Sequence, residues 1–200
     1  LCVGARTAEE FKDLREAGAT KFIIKHETAD AALFRRLKPD LDLEGRLAYI
    51  REAQRAGFDV GSGMIVGIPG QTTSSLADDV ALLVELGVKM ASCSIFMPHA
   101  DTPLASAPPG DARLGARVVA AMRLSLPEAL IPATSTFEKA LPGEGQYLAL
   151  MAGANVVTVN LTPESCKGDY QLYTDRYFVR WGHARDVIAR AALTVAEEGA

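Results

Sequence analysis

Hydrogen-bonding and ionisable residues collect just after five apolar runs of this 200-residue chain. In KFIIKHETAD, residues 21–30, the run Phe22 to His26 reads as a buried strand, and Lys25, His26, Glu27 and Thr28 stand where it hands over to a helix. Later runs end in Gly67, Pro69, Gly70 and Gln71; in Pro98, His99 and Asp101; in Thr134, Ser135 and Thr136; and in Asn160 and Thr162. The last two places offer hydroxyls and an amide with no Lys or Arg among them. Neutral donors of this kind suit a compact carboxylate or amide, whereas a phosphate calls for more positive charge or a glycine-rich anion loop. Taken singly, each residue is equally a cap or turn residue, as Thr28 and Thr72 or Thr73 are by type. Five consecutive ends of this kind argue for a shared site.

The elements that must position these residues alternate along the chain. Apolar runs at Leu1 to Val3, Lys21 to Lys25, Phe58 to Val66, Met90 to Met97, Ile131 to Ser135 and Asn155 to Asn160 read as strands. Between and after them, helical spacing predicts helices at Ala8 to Ala17, Ala31 to Leu37, Leu43 to Ala56, Ser74 to Leu86, Ala112 to Ser125, Gly145 to Ala152 and His183 to Glu198, several closed by glycine. Six strand-and-helix units about 30 residues apart predict an α/β chain of parallel strands with crossover helices, buried on both faces. No GxGxxG follows the first strand, which favours most of a (β/α) TIM-type barrel over a dinucleotide-binding sheet. A parallel barrel builds its site at the C-terminal ends of its strands, where these polar groups lie. The glycines of GSGMIVG, residues 61–67, fall within a strand and let a ligand or a neighbouring backbone approach closely.

Composition excludes several classes. With 48% hydrophobic and 23% charged residues the chain can bury a sizeable core, and we expect one domain over residues 1–200. A net charge of -4 with scattered Lys and Arg disfavours nucleic acid. The absence of a long apolar run or a leader pattern disfavours a membrane and points to the cytoplasm. Cys2, Cys93 and Cys166 are too few and too dispersed for a disulfide framework or a CxxC metal knuckle. The chain starts within an apolar run and without methionine, so residue 1 is expected to be a cut inside a longer protein.

KHETAD, GRLAYIREAQRAGFDVGSGMIVGIPGQT, FMPHADTPL, IPATST and GANVVTVNLTP resemble successive strand-end motifs of radical S-adenosylmethionine (SAM) enzymes. The group is the one containing the FeFe-hydrogenase maturase, methylornithine synthase and biotin synthase, and the resemblance runs to about residue 173. It implies that the chain is similar to strands three to eight of a radical SAM barrel. Such enzymes hold a 4Fe-4S cluster with a CxxxCxxC loop after the first strand. These 200 residues contain no such loop, so alone they should not cleave SAM, and the cluster ligands are expected outside them.

The resemblance also assigns roles. Glu27 and Arg46 match the acid and the arginine that contact SAM, Lys25 stands where the maturases often carry Arg, and Gly63 and Met64, with Gly61, would form a wall beside the adenosine, Met64 being equally a core residue by type. His99, Thr134, Ser135, Asn160 and Thr162 would face a small, amino-acid-like substrate. Ser135, Thr136 and Phe137 replace the Arg that holds biotin synthase's second cluster, which disfavours sulfur insertion by that route. The expected activity is SAM cleavage followed by hydrogen abstraction, with an electron donor for the full-length enzyme. The alternative is a degenerate barrel that binds a small anion without catalysis. From Ser165 onward the sequence departs from the maturase pattern.

Overall fold

Burial alternates along residues 21–28 of the computed structural model, which describes residues 1–4, 6–169 and 173–196. Strands β1 (Lys21–Ile23), β2 (Asp59–Val66) and β3 (Met90–Ile95) form a parallel sheet in the order β1-β2-β3. Phe22, Ile24, Val60, Met64, Val66, Ala91, Cys93 and Ile95 sit in the core against the helices. Alternate residues, Ile23, Lys25, Gly61, Gly63, Ile65, Met90 and Ser92, belong by pleat to the other face. The expected burial on both faces holds on that second face for Gly61, Gly63 and Ser92, whereas Ile23, Lys25, Ile65 and Met90 are only half-buried.

Three of the six expected strands shrink to isolated pairings. Residues 131–135 and 155–160 touch the sheet through the parallel bridges Met90–Leu130, Cys93–Ala133 and Pro132–Val156. Pro132 has no N–H to donate, and the Asn155 side chain takes the Ile131 N–H at 2.7 Å, so a regular ladder cannot form there. At the other edge, Leu1 accepts from the Ile23 N–H at 2.8 Å. The spatial order still follows the chain, as in the wall of a partial barrel.

The helices are α1 (Ala8–Glu16), α2 (Ala31–Leu37), α3 (Leu43–Arg55), α4 (Thr73–Glu85), α5 (Ala112–Ser125), α6 (Ser135–Ala140), α7 (Gly145–Met151) and α8 (Trp181–Arg190), with a 3-10 turn at Glu164–Asp169. Their starts follow side-chain caps. Asp30 accepts from the Ala32 and Leu33 N–H groups, Asp42 from Gly45, Thr72 from Ser75 and Asp111 from Arg113. Helix α6 was not expected, and it turns Ser135 from a strand end into a first helical residue. Helix α8 ends at Arg190, short of the expected Glu198, and Ala192 has φ +53°; residues 197–200 lie outside the described part. Among the described residues no helix is long and apolar enough to cross a membrane.

Phe11, Phe22 and Phe58 pack edge to face with centroids 5.0 to 5.9 Å apart, tying α1 to the start of the sheet. Each such pair contributes about 1 kcal/mol beyond area burial. Burial pushes the Cys93 thiol up to about 12, whereas Cys2 is exposed. Alkylation at pH 8 should therefore label Cys2 and spare Cys93 until the protein unfolds; equal labelling rates in the native state would show that α5 does not stay seated on β3.

Candidate functional site

The turn after β1 keeps pairing with β2 beyond the regular strand. Ile24 N–H donates to Gly61 O at 3.0 Å, Glu27 N–H to Gly63 O at 2.9 Å, and Ile65 N–H to Glu27 O at 2.9 Å. Glu27 takes φ +69°, a left-handed conformation that costs a non-glycine residue energy. Lys25 reaches across β2 to Ser94 Oγ at 3.2 Å, and its ammonium lies 3.4 Å from Glu27 Oε2. That carboxylate oxygen is buried and accepts no hydrogen bond among the described residues. A buried anionic acceptor with a lone pair to spare is costly to leave unmatched.

Glu27 lines a cleft of about 480 Å³ together with Ile65, Ile68, Phe96, Met97 and His99. Arg36 and Lys38, from the end of α2, also line it. The GIPGQT turn is closed by Gln71, whose side chain accepts from Gly67 N–H at 2.8 Å and donates to Ile65 O at 2.9 Å. Gly67, at φ +90°, leaves room for the Gly110 backbone, because a Cβ there would lie 2.4 Å from Gly110 Cα. His99 Nδ1 accepts from the Asp101 N–H at 3.1 Å, which leaves Nε2 as the protonated nitrogen of the neutral ring. The cleft thus combines an apolar floor, one unsatisfied carboxylate oxygen and cationic groups at its rim. That set suits a ligand with a planar apolar part and hydroxyls or an ammonium.

A second cavity of about 390 Å³ opens beside Ile23, Ser92, Thr134, Ser135 and Asn160. Thr134 Oγ1 donates to Cys93 O at 3.1 Å and lies 2.9 Å from Thr136 Oγ1, which accepts the Ile95 N–H at 2.8 Å. These two hydroxyls sew residues 134–136 to the end of β3. Ser135 Oγ lies 3.3 Å from the Tyr173 hydroxyl. Asn160 Oδ1 accepts the Thr162 N–H at 3.0 Å, a turn contact, and Thr162 does not line the cavity. Arg176 and Tyr177 close the cavity from the C-terminal segment.

The structure therefore regroups the residues read from the sequence. Lys25 and Glu27 come together as expected, but His99 joins them in the first cleft instead of joining Thr134 and Ser135. Two readings are corrected. Gly63 meets backbone: a Cβ there would lie 2.2 Å from Ser92 O, so the missing side chain admits β3. Met64 is wholly buried in the core and forms no wall of an open site. Arg46 sits half-buried on α3, its guanidinium without a partner among the described residues and outside both cavities.

The reading that no Lys or Arg attends the hydroxyls is overturned by Arg176, which lies in DRYFVRW, a segment outside the five resembling motifs. The apolar floor residues Ile68 and Phe96 were also missed, although GIPG and FMP contain them. The described residues offer no ligand set for an iron-sulfur cluster. Among the described residues no three His, Cys, Asp or Glu converge, and the three cysteines are unpaired and dispersed.

Comparison with known proteins supplies a context for these clefts. The chain is 39% identical over 179 residues to the [FeFe] hydrogenase maturase subunit HydE of Thermotoga maritima, covering 90% of this chain and 51% of that protein. It is 33% identical over 159 residues to biotin synthase of Desulforudis audaxviator, covering 78% and 48%. The crystal structure of methylornithine synthase (PylB) superposes with a TM-score of 0.78 and 26% identity over 96% of this chain and 56% of that one. No protein-family model matches. The chain spans about half the length of the curated relatives it matches.

Proposed function

The chain belongs to the radical SAM superfamily, in the group of HydE, methylornithine synthase and biotin synthase, and from that membership we propose that its first cleft binds SAM and its second a small amino-acid-like substrate. The observation that carries the reading is the buried Glu27 Oε2, ion-paired with Lys25 but accepting no hydrogen bond among the described residues, in a cleft of a size to take a nucleoside. It would accept from the ribose hydroxyls or the ammonium of SAM, while Ile65, Ile68, Phe96 and Met97 pack on the adenine. Lys25, 3.2 Å from Ser94 Oγ and 3.4 Å from Glu27 Oε2, holds the carboxylate in place. Arg46, the residue the resemblance assigns to the SAM carboxylate, lies outside this cleft and is not needed for the reading. Bound SAM would supply hydrogen-abstracting chemistry at a 4Fe-4S cluster held by residues outside these 200, with electrons from an external donor.

On the substrate side, Arg176 and Ser135 offer a guanidinium and a hydroxyl to one carboxylate, a pairing suited to an amino acid. Seating the substrate between the sheet and residues 176–179 excludes water from the reacting bond. The test is calorimetric titration of SAM into the full-length enzyme and its Glu27→Gln variant. The variant keeps the volume and removes the charge, and it should lose about 2 kcal/mol of binding. Equal affinities would remove Glu27 and this cleft from the SAM site.

A further inference from the structure

Glu27 holds a left-handed backbone conformation, and such strain persists only where the surroundings over-determine it. What does so lies on the helix side of the sheet, behind the cleft. His26, wholly buried, places Nδ1 3.0 Å from Ser62 Oγ on β2 and Nε2 3.4 Å from Asp79 Oδ1 on α4. Its backbone N–H donates to the same Ser62 Oγ at 3.2 Å. Asp79, also wholly buried, accepts the Ala29 N–H at the same Oδ1. Two side chains from two other elements therefore grip the residue just before Glu27 and the residue two after it. Neither touches either cavity, so the activity proposed above leaves this buried cluster unused.

We propose that Asp79 and Ser62, acting through His26 and Ala29, are positioning residues that lock the strained turn and so aim the Glu27 carboxylate into the cleft. The proposal rests on the reading of that cleft as a SAM site. Cost points the same way as geometry. Burial pushes the Asp79 carboxyl up, against the pull of His26. A carboxyl raised in the folded state stabilises it only at low pH, and that contribution is lost as pH rises through the raised value. Burying a carboxyl costs solvation that an apolar side chain would not, so packing alone does not account for it. His26 Nε2 and Asp79 Oδ2 lack hydrogen-bond partners among the described residues, which adds to that cost.

The experiment is a double-mutant cycle on SAM affinity in the full-length enzyme, with melting temperature recorded beside it. Asp79→Ala should weaken SAM binding about tenfold, and Asp79→Asn, which keeps an acceptor for Ala29, should stay within about twofold of wild type and melt no lower. In a Glu27→Gln background Asp79→Ala should add nothing, because its effect runs through Glu27. Losses that multiply in the double variant, or an Asp79→Ala variant that binds normally, overturn the proposal. If Asp79→Ala does not fold, Ser62→Ala enters the same cycle with the same expectations. A wild type that does not bind SAM, or a Glu27→Gln variant that binds it normally, instead overturns the reading of the cleft, and the proposal falls with it.

Discussion

Gly63→Ala should leave little folded protein. The position is in the central strand, and a Cβ there would meet Ser92 O at 2.2 Å, Ser92 Cβ at 2.6 Å and Ser92 C at 2.8 Å. Two of these are backbone atoms that no rotamer change can move, so β2 and β3 must separate. Separation breaks the Gly63–Ser92 register and disturbs the Glu27 N–H bond to Gly63 O. Overpacking of this kind costs about 3 kcal/mol or more, a large share of a domain's stability. Gly61→Ala is the control: its Cβ would meet Ile23 Cγ1 and Met90 Cβ at 3.1 Å and Met90 O at 3.5 Å, contacts that a shift of a few tenths of an ångström relieves, so it should cost about 1 kcal/mol. Denaturant midpoints check both, and a Gly63→Ala protein as stable as Gly61→Ala would show that the strands can spread freely.

The same glycine shows how far sequence reasoning reaches. Glycine within a strand signals a close approach, but the choice between ligand and backbone depends on β3, some 30 residues away. Helices were read well where the signal was local. Ala31–Leu37 and Ala112–Ser125 match the expected bounds because Asp30 and Asp111 cap them, and Pro39 lies just past the first. The runs at 131–135 and 155–160 carry the same apolar signal as β2, yet Pro132 and the Asn155 side chain take up the positions a ladder would need. Strand ends were read as one ring, whereas the folded chain divides them between two clefts. Lys25 finds Ser94 at a separation of 69 residues, and no periodicity foretells that contact. His99 was legible as a turn residue or a ligand contact; its Nδ1 bond to the Asp101 N–H shows the turn role, and its place beside Glu27 fits the ligand role.

Arg176 was the least legible of the cavity residues, and its replacement carries the larger functional prediction. It lines the same cavity as Ser135 and Thr134, and its guanidinium lies 5.2 Å from the Phe178 ring centroid, which limits its freedom. A planar guanidinium at the wall of such a cavity can bind a carboxylate through two parallel hydrogen bonds, and loss of one partner of such a pair costs about 3 kcal/mol. Arg176→Met in the full-length enzyme should therefore lower kcat/KM for an amino-acid-like substrate about a hundredfold. Arg176→Lys should recover only part of this, since an ammonium lacks the fork. Binding of SAM should not change, because Glu27 and its cleft are untouched. Thr134→Val is a poorer probe, since it also breaks the bond to Cys93 O and loosens the turn against β3. Normal turnover by Arg176→Met, or a substrate screen answered only by phosphorylated compounds, would remove the carboxylate assignment from this cavity while leaving SAM recognition by Glu27 to stand on its own titration.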